Sequence, residues 1–396
     1  MRLNEGTEKN ITEKKAFWIV LYIVMAILAA ASVYGGIRNA VIWSQDFQYD
    51  AAKALTMGID PYDESLSPDS RLDAPGLKEF YDYYSGMGTP QKMEANQFPS
   101  LLMLLVPYTL LTPGAARIAW LISNLIFTGL IVFLLRKTFM KDMDRRIYSV
   151  LMLLMIAGTP WRNQIGVGQH TLFSVMFFLL AVWLSEEKKK PVLSGLALCI
   201  SYFKYTVTAP LALYFLYKRK WKEFLLSLIP HLIGTAAAAV ILKCSFADMI
   251  IKPLKVASAL TGEGSIDIGA ITGGASWASV ISIVIMLLLL IVVFRLPQGN
   301  DSMVISLLTL ISLIMTYHRT YDFFVMIIVF AFVTDKKYLN VAYTLLTFFV
   351  FFVLRLFHEN SISLDTAGIL YYIFTAVMLA IVLKAAFNGG VRRKDG

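Results

Sequence analysis

Charge is scarce in this chain. Only 16% of its 396 residues are Asp, Glu, Lys or Arg, against about a quarter in a soluble globular domain. Cysteine is scarcer still. Cys199 and Cys244 lie in or beside apolar stretches and show no metal-ligand spacing, so neither a disulfide framework nor a zinc site is encoded. The four histidines are scattered, and no metal is expected. No internal repeat is visible, which weighs against transporter folds built from inverted repeats. Strands of alternating polarity are missing too, which excludes a transmembrane β-barrel.

What is present is hydrophobicity. Apolar residues make up 57% of the chain, in blocks of roughly 13–21, the lengths that cross or half-cross a hydrocarbon core. The fold class is therefore an all-α integral membrane protein, a polytopic helical bundle. Apolar segments run at 16–36, 98–112, 117–136, 147–160, 171–185, 191–203, 205–217, 224–242, 278–296, 303–317, 322–333, 338–357 and 366–386. The polar stretch before the first of them reads as the flank of an uncleaved helix, not of a removed signal peptide.

The net charge of +9 does not point to nucleic acid, because the basic residues sit at the ends of apolar segments. Lys14/Lys15, Arg136 to Arg146, Lys188 to Lys190, Lys218 to Lys220, Lys336/Lys337 and Arg392 to Lys394 are expected on the cytoplasmic side, with both termini. Segment 98–112 spoils simple alternation. It is short and carries Pro99 and Pro107, so it reads as a kinked or half-membrane helix. About twelve full crossings are then expected in a single multi-spanning domain, 1–396. A first external loop, 37–97, would carry interfacial helices near 46–57 and 75–84. A second, 243–277, has Gly262, Gly264, Gly269, Gly273 and Gly274 and reads as mobile.

Chemistry-bearing residues concentrate at the outer ends of the segments. Asp46 heads the first loop; a carboxylate there is either a general base for a hydroxyl nucleophile or the cap of the following helix. Asp50, four residues on, would share its face of a helix. Asp60-Pro61 is a turn signal. The turn Gly166-Val167-Gly168-Gln169-His170 offers backbone N–H groups and two polar side chains, or is a tight connection between helices. Lys204 breaks the apolar run from Pro191 to Tyr217 at a hairpin tip, on the outer side; it either snorkels or meets a lipid phosphate. The turn Tyr317-His318-Arg319-Thr320-Tyr321-Asp322 holds an arginine fork suited to phosphate and a histidine able to hydrogen-bond a sugar, or is a capped turn. His231 and His358 read as interfacial or packing histidines.

The order of these pieces resembles glycosyltransferase family 87, the polyprenyl-phosphate-mannose-dependent mannosyltransferases of the GT-C superfamily. The resemblance rests on Asp46, Phe47 and Tyr49, Gly58-Ile59-Asp60-Pro61-Tyr62, Phe98-Pro99-Ser100-Leu101 leading to Pro107, Gly168-Gln169, Ser194-Gly195-Leu196 with Lys204, and Arg219-Lys220-Trp221. Where the family usually has Tyr-Pro-Pro, this chain has Phe98-Pro99-Ser100. The resemblance implies a GT-C-like bundle whose external loops form the active site. It implies an inverting enzyme of the cell membrane that moves a sugar, mannose by resemblance, from a polyprenyl-phosphate donor to a lipid or glycan acceptor. Asp46 is the expected base and His318 the second catalytic residue. Lys204 and Arg319 are expected on the donor phosphate, and Tyr49, Tyr62, Gln97, Gln169 and His170 on the substrates. No cofactor is expected. A polytopic transporter or lipid flippase is the alternative.

Overall fold

The computed structural model describes residues 15–42, 47–67, 74–259, 266–268, 272, 277–354 and 364–391. Among them the regular elements are helical, and β pairing is confined to an isolated bridge between Ile266 and His318. The α-helices in chain order are α1 Lys15–Ile42, α2 Tyr49–Thr56, α3 Pro61–Leu66, α4 Leu77–Gly86, α5 Pro99–Leu102, α6 Val106–Thr109, α7 Pro113–Lys137, α8 Arg145–Ala157, α9 Thr159–Val167, α10 Thr171–Glu186, α11 Pro191–Ser201, α12 Tyr205–Tyr217, α13 Trp221–Ile241, α14 Asp248–Ala259, α15 Ala278–Phe294, α16 Asp301–Met315, α17 Phe330–Val333, α18 Lys337–Phe348 and α19 Leu364–Val391. A 3₁₀ segment, Thr320–Val329, leads into α17.

The basic clusters meet on one face. Lys141 lies 3.7 Å from Glu187, Lys220 lies 3.7 Å from Glu186, and Lys218 lies 2.8 Å from Asp301. The first and second polar loops meet elsewhere, where Lys252 of α14 bridges Asp60 at 2.7 Å and Asp63 at 2.6 Å. Between these two contacts runs α13, 21 residues or about 31 Å of helix. The loop contact therefore marks a far face, a membrane thickness away from the basic one.

Fewer single helices have the length of a span than the apolar segments of the sequence number. Among the described residues, five helical stretches have the length and composition of a span, or six if the α9–α10 pair counts as one. The other apolar helices are 10–17 residues long, or about 15–26 Å against a core of about 30 Å. Hydropathy does not distinguish a lipid-facing helix from one buried in protein. In α16 every residue from Met303 to Ile314 is buried, the mark of a helix enclosed on all sides. By contrast, α1 leaves Ile19, Val20, Ile23 and Ile27 exposed as a lipid-facing stripe. Segment 98–112 is broken, as its prolines predict: α5, a 3₁₀ turn and α6 together span 99–109. The second polar loop contains α14, which the sequence reading did not foresee. Its glycines Gly262, Gly264, Gly269, Gly273 and Gly274 lie outside the described residues.

The stretch Pro191–Tyr217 is helical throughout and long enough to span, yet it folds back on itself. Ser194 donates to Ala181 O at 2.8 Å, near the basic end of α10. At the other end of the stretch, Lys220 reaches Glu186, and Glu223 accepts from Ser185 at 3.0 Å. A straight helix of 27 residues would separate those ends by about 40 Å. The turn is the 3₁₀ segment Tyr202–Lys204. Each arm, α11 or α12, is 11–13 residues long, or about 16–20 Å, so the tip stops at membrane depth. The hairpin was expected, but not the depth: Lys204 is buried, not on an outer surface turn.

Two glycines shape this core. Gly168, at φ 67, ends α9 and allows the 108° bend into α10. Gly195 lets α11 lie against α13; a Cβ there would come within 2.7 Å of Leu226 Cβ and 3.0 Å of Glu223 O. Gly195→Val is therefore expected to cost about 1–3 kcal/mol by overpacking. It should lower the melting midpoint of the detergent-purified protein, and Gly195→Ala should do so less. An unchanged midpoint for the valine variant would contradict this packing.

Candidate functional site

The hairpin tip presents Lys204. Its backbone N–H donates to Ser174 Oγ at 2.7 Å, and its carbonyl accepts from Thr208 Oγ1 at 3.1 Å. The ammonium lies 3.9 Å from Asp322 Oδ2 and 5.3 Å from the centre of the Tyr321 ring. Its side chain keeps 10% exposure, whereas those of Asp322 and His318 keep none.

Asp322 and His318 share one turn, four residues apart. His318 Nδ1 lies 3.0 Å from Asp322 Oδ2. The other ring nitrogen, Nε2, lies 2.8 Å from Thr316 Oγ1 and 3.1 Å from Ser312 O. Thr171, the first residue of α10, donates to Asp322 Oδ1 at 2.5 Å. Arg319 N–H points to Asp322 Oδ2 at 3.4 Å, and the exposed Arg319 side chain donates through Nε to Tyr317 Oη at 2.8 Å. The second polar loop touches the same turn, Ile266 N–H donating to His318 O at 2.8 Å.

The α9–α10 bend adds Gln169 and His170. Gln164 Nε2 donates to the carbonyl of Gln169. The His170 ring packs 4.4 Å from Phe203 and 5.6 Å from Trp120. Trp120 Nε1 donates to Gly168 O at 2.7 Å and its ring stacks on Phe47 at 5.5 Å. Phe47 follows Asp46 in the chain. Asp46 itself lies outside the described residues. The N-cap position of α2 is Gln48, in the left-handed region at φ 61, and its side chain makes no cap bond.

Lys204, His318, Gln169 and His170 are thus brought into one neighbourhood, with Arg319 at its edge. Tyr49, Tyr62 and Gln97 are placed differently. Tyr49 donates to Leu111 O at 2.9 Å and Tyr62 to Gln97 O at 2.8 Å, so both hydroxyls brace the first loop. Gln97 is linked to the hairpin through its neighbour Phe98, whose ring lies 5.4 Å from that of Tyr205. Asp60, read as a turn residue, caps α3 by accepting from Tyr62 N at 2.9 Å.

An apolar cavity of about 500 Å³ lies beside the hairpin tip, between α5, α12, α13 and α14. Phe98, Tyr202, Tyr205, Leu228, His231 and Ile250 line it. His231 faces Ser100 Oγ at 2.9 Å through Nδ1, fixing one wall.

The sequence reading named the turn that holds Asp322 but assigned that carboxylate no role. The signal was its spacing from His318, four residues, the reach of one helical turn. It also passed over Arg117, a cation near the start of α7. Arg117 is 1% exposed, donates to Ala40 O at 2.6 Å and lies over the Tyr84 ring. It ties the end of α1 to the first loop. Among the described residues no group of His, Cys, Asp and Glu is arranged to hold a metal.

Residues 99–318, more than half of the chain, match glycosyltransferase family 87. No curated protein and no solved structure matches it.

One carboxylate outside the membrane-spanning segments has a legible pH signature. Asp50, buried in the first loop, is pushed up to about 6 by desolvation, and the Ala51 N–H and Tyr81 hydroxyl offset only part of that. A carboxyl raised in the folded state favours its protonated form there. The stability it contributes is full below about pH 4 and is lost as pH rises through about 6, roughly 3 kcal/mol at most. Asp50→Asn should flatten that fall in a pH series of melting midpoints between 4 and 7. A variant series that keeps the wild-type slope would rule out Asp50 as its source.

Proposed function

This chain belongs to glycosyltransferase family 87, a family of membrane glycosyltransferases, and we propose that it takes its sugar from a polyprenyl-phosphate donor on the far, external face. Family membership disfavours the transporter or flippase alternative. The observation that carries the donor reading is Lys204. A cation with residual exposure stands at membrane depth, flanked in sequence by Tyr202 and Tyr205, both lining an apolar cavity of about 500 Å³. A lipid phosphate combines the two matching features, an anionic head and an apolar tail. Arg319, exposed on the neighbouring turn, supplies a second cation whose planar fork suits phosphate oxygens.

In the proposed reaction an acceptor hydroxyl, on a lipid or glycan, attacks the anomeric carbon. Asp46 takes the hydroxyl proton. The bond from the anomeric carbon to the phosphate oxygen breaks, its electron pair leaving with the polyprenyl phosphate. A single displacement inverts the anomeric centre. Negative charge grows on the departing phosphate, where Lys204 and Arg319 stabilise it. Mannose is the first sugar to test, on the strength of the resemblance.

The test is purified protein in lipid nanodiscs with polyprenyl-phosphate mannose, other polyprenyl-phosphate sugars and a panel of acceptors. Release of polyprenyl phosphate coupled to acceptor glycosylation is expected. Failure with every such donor, alongside turnover of a nucleotide sugar, would overturn the donor class. Asp46→Asn should lower turnover by about 10²–10⁴-fold, the usual contribution of a positioned base. Near-normal turnover in folded Asp46→Asn protein would remove Asp46 from that role. Sidedness has its own check. Ser85 is exposed on α4, so Ser85→Cys, in a background lacking Cys244, should react with an impermeant thiol reagent added to intact cells. Labelling only after lysis would put the first loop in the cytoplasm.

A further inference from the structure

Three ionisable side chains from two chain segments converge on one buried point, and only one of them keeps contact with solvent. Lys204 comes from the hairpin tip, and Asp322 and His318 come from the turn before the 3₁₀ segment. We propose that Asp322 is the positioning residue for Lys204, and that His318 acts through Asp322 and not on substrate. The proposal rests on the donor-phosphate reading of Lys204 given above.

The hydrogen-bond inventory separates the roles. The ring of His318 is fully buried and both of its nitrogens face protein: Nδ1 the Asp322 carboxylate, Nε2 the Thr316 hydroxyl and the Ser312 carbonyl. An imidazole has two hydrogen-bonding positions, and both are engaged here. In this arrangement His318 has no nitrogen to offer a sugar hydroxyl or a phosphate. What it does is fix the carboxylate of Asp322 from one side, while Thr171 holds the other oxygen at 2.5 Å.

The carboxylate so fixed attracts Lys204 without consuming its donors. At 3.9 Å the ammonium is in Coulombic reach of Asp322, but beyond a hydrogen bond. An ammonium has three N–H donors. Attraction at this distance holds the cation in a buried place, and its 10% exposure leaves a path for a ligand oxygen. Removing Asp322 would leave an ammonium at membrane depth without that counter-charge, so it would give up its place or its charge. The simpler reading, in which the cluster is only a structural ion pair, predicts loss of folding without a specific effect on phosphate.

The experiment measures binding of a polyprenyl monophosphate, with no sugar attached, to the full-length protein in nanodiscs. The same chain ending in a hydroxyl, polyprenol, is the control. Turnover with the sugar donor is measured in parallel, split into donor KM and kcat. Asp322→Asn is expected to weaken monophosphate binding at least tenfold and to raise donor KM, with polyprenol binding unchanged. Lys204→Ala should behave alike. The double variant should bind no worse than the weaker single, because both changes remove one unit. Thr171→Val keeps side-chain shape and deletes one bond to the carboxylate. It should weaken binding about threefold, and it carries the test if Asp322→Asn does not fold. Tighter monophosphate binding by Asp322→Asn would mean that the carboxylate competes with phosphate for the lysine, and would overturn the proposal. Unchanged binding, additive losses in the double variant, or equal loss of polyprenol binding would overturn it too. Wild-type protein that fails to bind the monophosphate removes the donor-phosphate reading and this inference together. Wild-type binding matched by Asp322→Asn removes only this inference.

Discussion

A helix broken at membrane depth exposes backbone groups that no water is there to satisfy, and the turn at 201–208 is built around that constraint. Unsatisfied backbone in hydrocarbon costs several kcal/mol per group, so irregular chain at this depth survives only where protein supplies partners. Here side-chain hydroxyls supply them. Ser174 accepts from Lys204 N, and Thr208 donates to Ser201 O at 2.6 Å. Ser312 and Thr316, at the end of α16, donate to Thr206 O at 2.9 and 2.7 Å. These residues come from α10, α12 and the end of α16, and they explain why those elements must meet at the tip. The same contacts fix the backbone on either side of Lys204, so the direction of its side chain is a consequence of satisfying the turn.

Charge follows the same logic. On the basic face, Lys218 and Asp301 form a partly exposed pair at 2.8 Å; pairs of this kind contribute about 0–1 kcal/mol. At the hairpin tip the distances are longer and the stakes higher. Stripping one partner from a buried pair costs about 3–5 kcal/mol, because the other charge is left without compensation. A buried ion pair is weak evidence for stability, since well-packed apolar residues would do as well or better. Keeping Lys204, Asp322 and His318 at the tip therefore needs a reason other than stability, and binding an anionic lipid head is such a reason.

The sequence made the membrane class, the helical bundle and the broken 98–112 segment legible, because each depends on composition and proline positions that act locally. The hairpin at Lys204 was legible for the same reason: a lone lysine interrupts an apolar run. Its depth was not, because depth depends on which neighbours the arms meet, and Ser174 is 30 residues away in sequence. Apolarity alone does not say what faces lipid: α16 is as apolar as a lipid-facing helix while being enclosed by protein. Asp322 shows the limit most clearly. Its partners Thr171 and Lys204 are 151 and 118 positions distant, and neither spacing carries a pattern. The i,i+4 relation to His318 was readable, but many surface turns share it. Tyr49 and Tyr62 show another limit: the hydroxyls of these aromatic loop residues donate to backbone carbonyls, which no sequence pattern announced.

The first loop and the hairpin tip are coupled by aromatic rings. Phe47 stacks on Trp120, Trp120 meets His170, and His170 packs on Phe203, the residue before Lys204. Each step is 4.4–5.6 Å between ring centres, within the range where aromatic pairs add about 0.5–1.5 kcal/mol beyond burial. Trp120 is also locked by its bond to Gly168 O, at the bend where α10 begins. A displacement of the first loop would therefore have to disturb the α9–α10 bend, and with it Thr171, the residue that holds Asp322. In the proposed reaction the base comes from the first loop and the phosphate cation from the hairpin. Transfer needs those groups in register to within about an ångström. A chain of packed rigid rings, stacked at Phe47–Trp120 and tilted at the next two contacts, gives that register at low entropic cost.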